Sequence, residues 1–161
     1  MSMSVSFKKT DIYDEWVEEY EIFENLYDAV MFMAVLGYAN DSVERQNFRG
    51  SKDGVGQGNI RIESFYSNDL YQVIGGCLAY QDTNDPDALV KTELQAKIIS
   101  QYATGGVAIA QSEFGDISGD PTDAIVNYID EFEDDPDGTG PSILTQIREN
   151  FDNEMLNSDS E

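Results

Sequence analysis

Histidine is absent from this 161-residue chain. That removes the usual general base near neutral pH and the commonest transition-metal ligand. Cys77 is the single cysteine, so no disulfide closes within the chain and no cysteine-built zinc site is available. It lies in the apolar run "VIGGCLAY" and reads as a buried structural thiol, because a nucleophilic cysteine would need a histidine partner. No apolar run reaches the ~18 residues of a membrane span. The start, "MSMSVSFKK", lacks the long apolar core of a secretory signal. These absences predict a cytoplasmic protein with no metal or organic cofactor and no membrane contact.

Positive charge is scarce as well. Nine Lys and Arg stand against 32 Asp and Glu, a formal net charge of -23. The acids run through the whole length, as in "DIYDEWVEEYE" and "DEFEDDPDGTG". A dispersed acidic surface with few lysines fits a salt-rich cytoplasm of halophilic, archaeal type, where screening suppresses self-repulsion. The competing reading is an acidic DNA mimic that blocks a basic partner.

Hydrophobic residues at 40% and aromatics at 11% exclude a disordered chain, and the length suits one sizeable core. The patterns predict a mainly α domain of five to six helices with a short N-terminal strand and a second short strand. In "MSMSVSFKKT", Met3, Val5 and Phe7 point inward and Ser4, Ser6 and Lys8 outward. Ile12, Trp16 and Tyr20 recur at helical spacing. Asn25 caps a helix over residues 26 to 39 in which only Asp28 is charged, with Gly37 or Asn40 placed to end it. A helix apolar all round needs cover on every side, from the other helices or from a second subunit of a homodimer.

Further on, "DGVGQGN" reads as a surface loop and "IRIESF" as a strand with Ile60 and Ile62 inward. Asn68 caps a helix placing Leu70, Val73, Ile74, Cys77 and Leu78 on one side, weakened by Gly75-Gly76. "ALVKTELQAKIISQYATGGVAIAQSEF" reads as a long helix, with Leu89 and Val90 in its apolar set and a kink or break at Gly105-Gly106. Asp120 and Pro121 open a helix that turns Ile125, Tyr128, Ile129 and Phe132 inward. The resulting division is a helical domain over 1–133, an acidic Gly/Pro linker over 134–141, and a C-terminal helix and tail over 142–161.

The chemistry-bearing motifs are weak. "DGVGQGN" matches neither phosphate-loop spacing, since Asn59 stands where a last glycine would. Glu133, Asp135 and Asp137 alternate like the start of a calcium loop, but Leu144 occupies the position of the bidentate acid. No carboxylate pair stands out as catalytic, so no enzyme is expected. The cations carry more information because they are rare. Lys8 and Lys9 end the first strand, Arg45, Arg49 and Lys52 gather in the loop after the apolar helix, and Arg61 follows. These six are the candidate contacts to nucleic acid or a partner protein. A strand followed by two helices is also the layout of ribbon-helix-helix DNA-binding regulators, with Ser4, Ser6 and Lys8 as the readers.

The segment "EIFENLYDAVMFMAVLGYAND" carries a resemblance through Phe23, Tyr27, Ala29, Phe32, Ala34, Leu36, Gly37 and Tyr38. "IRIESF", "QYATGGVAIAQ" and "DAIVNYI" follow in matching order, so the likeness spans roughly residues 5–130. The chain resembles DNA phosphorothioation-associated protein 4, the small accessory proteins encoded beside Dnd-type DNA phosphorothioation systems. Family members often carry basic residues just after "LGY"; here "ANDSVERQN" begins with acids and amides. The resemblance implies a non-catalytic accessory or assembly role in antiviral defence or restriction. It implies action through partner proteins, subunits of a phosphorothioation or restriction complex, or through DNA; the acidic charge predicts that any DNA contact is weak without a partner. It offers no catalytic residue to transfer.

Overall fold

The computed structural model describes residues 3–46, 48–49 and 56–133. Its centre is the apolar helix α2 (Leu26–Ala39), in which every residue from Ala29 to Gly37 is buried. The chain supplies this cover by itself. The helix starts where its sequence says it should. Asn25 is extended, and its backbone N–H donates to the Asp28 carboxylate at 3.2 Å. Asp28 also accepts the Tyr71 hydroxyl at 2.8 Å. The one charge of the segment thus sits in the first turn, where the helix dipole favours an anion and donors satisfy it. The helix stops at Asn40, whose side-chain amide donates to the Leu36 carbonyl at 2.9 Å. Gly37 lies inside the helix and does not end it.

The main partner of α2 is α5 (Thr92–Phe114), which is continuous. The expected kink at Gly105-Gly106 does not occur, because these glycines make a helix crossing. A methyl group on Gly106 would sit 1.7 Å from the Met33 carbonyl oxygen, and one on Gly37 would sit 2.1 Å from that of Tyr102. Backbone lies on backbone there. Ser42, just beyond α2, reinforces the crossing by donating to the Gly105 carbonyl at 3.0 Å. In α4 (Asp69–Thr83) the Gly75-Gly76 pair is likewise no weak point, since the Tyr66 hydroxyl fills the space of the missing Gly75 side chain.

Strand β1 (Ser4–Lys8) pairs antiparallel with β2 (Gln57–Arg61), Ser4 opposite Arg61 and Lys8 opposite Gln57. Val5 and Phe7 face the core as predicted, whereas Met3 is 41% exposed. The second strand lies earlier than "IRIESF". It takes in the end of the glycine-rich run, because Gly58 opposite Phe7 leaves room for that ring. Ile62 is buried, but it begins helix α3 (Ile62–Tyr66), and Ile60 is half-buried. On the outer edge of β1, the Ser100 hydroxyl of α5 donates to the Ser6 carbonyl.

Helix α1 (Asp11–Asp14) runs into a π turn at Glu15–Glu19. Trp16 there is 2% exposed and packs with Phe23, Phe32 and Phe114, ring centroids 5.9 to 6.2 Å apart. Ile12 is buried with it, while the widened turn leaves Tyr20 half-buried. Asn68 caps α4 by accepting the Leu70 N–H at 2.9 Å. The face buried by α4 is Tyr71, Ile74 and Leu78; Val73, expected with them, is 60% exposed and Cys77 is only half-buried. A 3-10 turn opens on Pro86 (Pro86–Leu89), and α5 starts only at Thr92. Leu89 and Val90 therefore fall outside the helix and are 50% and 80% exposed. Asp120 caps α6 (Thr122–Glu133), which buries Ile125 and Ile129 and half-buries Tyr128. The Phe132 side chain, the calcium-loop pattern, the acidic linker and the C-terminal helix lie outside the described residues. Among those residues, no helix is long and apolar enough to cross a membrane.

Candidate functional site

Ribbon and long helix do not close completely. Between β1 and the first half of α5 runs a groove of about 840 Å³, roofed by Phe48 and Arg49. Each wall follows from the local pattern. On β1 the alternation that buries Val5 and Phe7 turns Ser4 and Ser6 to the other face, where the Ser6 hydroxyl donates to Asn59 at 2.8 Å. On α5, Glu93, Lys97, Ser100 and Thr104 recur at helical spacing and form one polar stripe. Thr104 fixes the roof, its hydroxyl lying 3.1 Å from the Phe48 carbonyl and 2.9 Å from that of Ser100. Phe48 is buried, and the Arg49 guanidinium rests 5.0 Å from its ring centroid, a cation held over an aromatic face.

The groove gathers Arg49, Lys91 and Lys97. Among the described residues Arg49 and Lys97 have no ion-pair partner, and Lys91 has a loose one, 3.8 Å from the Asp85 carboxylate with both side chains largely exposed. Such a pair holds little charge in place. Met3, Leu94 and Ala96 add apolar lining, and Glu93 adds one carboxylate.

The six predicted contact residues do not share this site. Arg49 joins it. Arg45 is occupied internally: its guanidinium donates to both oxygens of Asp82, with one bond at 3.0 Å, and to Gln101 at 2.7 Å, and lies 5.7 Å from the Tyr102 ring centroid. The Tyr102 hydroxyl donates to the same carboxylate at 2.8 Å. The Arg45 hydrogen bond holds Asp82 below the usual carboxylate range, and Asp82 in turn holds Arg45 above its ordinary value. Burial, helped by Asp82, pushes Tyr102 up to about 12. This cluster ties the chain after α2 to α4 and α5. Lys8 lines a second cavity of about 310 Å³ with Thr10, Tyr13 and Glu44. Thr10 Oγ1 is the one buried side-chain polar atom without a partner among the described residues. Lys9 is exposed beyond the strand, and Arg61 shares the outward face of the ribbon with Ser4. Lys52 lies outside the described residues.

Lys91 and Lys97 were not among the predicted contacts, because they stand just before and within α5, far downstream of the cation-rich first third. The polar stripe that includes Lys97 was the available signal. Elsewhere carboxylates dominate, most densely where Asp11, Asp14, Glu15, Glu18 and Glu19 line one exposed hollow. Among the described residues no three acidic or cysteine side chains gather as a metal site would require.

Fold and groove define the class: a mainly helical domain with a two-stranded ribbon and a cationic groove against its longest helix. The chain belongs to the family of DNA sulphur modification system-associated protein 4, whose model matches residues 6–147. No curated protein and no solved structure matches it significantly.

Proposed function

We propose that this protein is a non-catalytic accessory subunit of a DNA sulphur modification system, acting through protein contacts that recruit or assemble the modification or restriction subunits. The observation that carries this is where the cations lie. In a chain of net charge -23, Arg45 is paired with Asp82, and three cations gather in a partly apolar groove. A duplex carries about one phosphate charge per 1.7 Å and is gripped by cations on an open surface. Outside the groove carboxylates dominate the described surface and would lie against the phosphates of a bound duplex, whereas a partner subunit that itself grips DNA meets no such contacts. The acidic surface fits a salt-rich cytoplasm, in which counterion release contributes little and shape and apolar contact decide recognition.

The test is affinity capture of the tagged protein from its host in molar potassium chloride. Modification or nuclease subunits among the captured proteins support the reading. Capture of operator DNA without protein partners, or metal-dependent DNA cleavage by the pure protein that a single carboxylate change abolishes, would overturn it.

A further inference from the structure

We infer that the groove between β1 and α5 receives an acidic peptide segment with apolar anchor residues, presented by the partner protein; this deepens the recruitment reading and rests on it. Two features of the groove coincide. Its cations are Arg49, Lys91 and Lys97, and the first and last are unpaired among the described residues. Its lining is also apolar, through Met3, Phe48, Leu94 and Ala96. Of the five large hydrophobic side chains exposed among the described residues, Met3 lines this groove. Apolar surface and a cluster of three cations thus share one place on the molecule.

That combination selects the occupant. A nucleic-acid duplex would use the cations and the Ser4, Ser6 and Thr92 hydroxyls, but its bases are stacked inside, so it has little to place on the apolar lining, and it would meet Glu93 at the wall. A peptide alternating carboxylates with leucine or phenylalanine side chains satisfies both components. Salt points the same way. At molar ionic strength the Debye length is roughly 3 Å, so only charges in contact still attract, and buried apolar area must supply the rest. The groove offers contact-range cations beside apolar surface.

The test uses the full chain in 2 M potassium chloride and reads fluorescence anisotropy of a labelled peptide, EELEEFEE, against its charge-reversed counterpart KKLKKFKK and a labelled single-stranded deoxyoligonucleotide. Saturable binding of the acidic peptide alone is expected. Lys97→Glu and Met3→Asp should each weaken it at least tenfold. Both positions are exposed, so the circular dichroism spectrum should be unchanged. Lys9→Glu makes the same charge change away from the groove and should leave binding within twofold of the wild type. Absence of acidic-peptide binding, equal loss with Lys9→Glu, or oligonucleotide binding that Lys97→Glu abolishes would overturn the inference. Host capture separates the two levels. If wild type and Lys97→Glu capture the same subunits equally, the groove assignment fails and recruitment stands. If neither captures any protein while the peptide still binds, recruitment fails and the groove assignment stands.

Discussion

Replacing Gly106 with alanine opposes two effects of different size. In the middle of an exposed helix this change stabilises by about 0.5–1 kcal/mol, because alanine loses less backbone entropy than glycine. At Gly106 the new methyl carbon would stand 1.7 Å from the Met33 carbonyl oxygen. Van der Waals contact needs roughly twice that separation. No rotamer change relieves the clash, since the obstructing atom is backbone. Helices α2 and α5 must part, which loosens the packing around Met33, Gly37 and Tyr102. Overpacking of this kind costs about 1–3 kcal/mol and occasionally more, and the rigidity of the neighbour places this case at the upper end. The expected net loss is about 2 kcal/mol, or about 4–8 °C in melting temperature for a domain of this size. Gly76→Ala is the control. Its methyl group would meet only ordinary contacts, at 3.7 Å from Leu89 and 3.8 Å from Gln95, so propensity should win and the protein should become slightly more stable. Thermal unfolding followed by circular dichroism in 2 M potassium chloride compares the two. A Gly106→Ala protein as stable as the wild type would refute the backbone crossing.

Other perturbations follow from the same structure. Ala34→Asp places a carboxylate at a fully buried position of α2 and should cost several kcal/mol or force protonation; a soluble variant with wild-type melting would contradict the central place of this helix. The melting temperature should climb steeply from low to molar potassium chloride, because the dispersed negative charge repels itself until screened; a flat response would remove the salt-adaptation reading. Asp82→Asn should destabilise by unpairing Arg45. Asp82 is held below its ordinary value of 3.8 in the folded protein, so its contribution is full above that value and is lost as pH falls through the lower folded-state value. The stability gap between wild type and Asp82→Asn should therefore be widest near neutral pH and shrink below about pH 4. Urea unfolding at several pH values reads it, and a gap that widens on acidification would show that the sign is wrong.

What was legible in the sequence was local or exclusionary. Asn25, Asn68 and Asp120 declare helix starts because capping chemistry is settled within three residues. The helix over 26–39 declares its central place because no face of it is polar. The family was legible around that same helix. What depends on the far side of a contact was not. A glycine pair breaks a helix or admits a neighbour according to what lies across from it, so Gly105-Gly106 read as a kink when Met33 and Ser42 were out of view. Leu89 and Val90 read as core because their period runs into α5, while the 3-10 turn after Pro86 takes them out of phase. Among the cations, Arg45 looked available until Asp82 and Gln101 were placed beside it. Lys91 and Lys97 meet Arg49 only because α5 folds back along β1.

The proposed recruitment role has this protein reach DNA through a partner without reading it directly. A mobility-shift titration in molar potassium chloride tests this, using plain and phosphorothioated duplexes, with the protein alone and then with the modification or restriction subunits of its own system. No shift is expected from the isolated protein, and a supershifted complex is expected when the subunits are present, lost with the Lys97→Glu variant. Tight, sequence-specific binding of either duplex by the isolated protein, sensitive to substitution of Ser6 or Lys8, would contradict it.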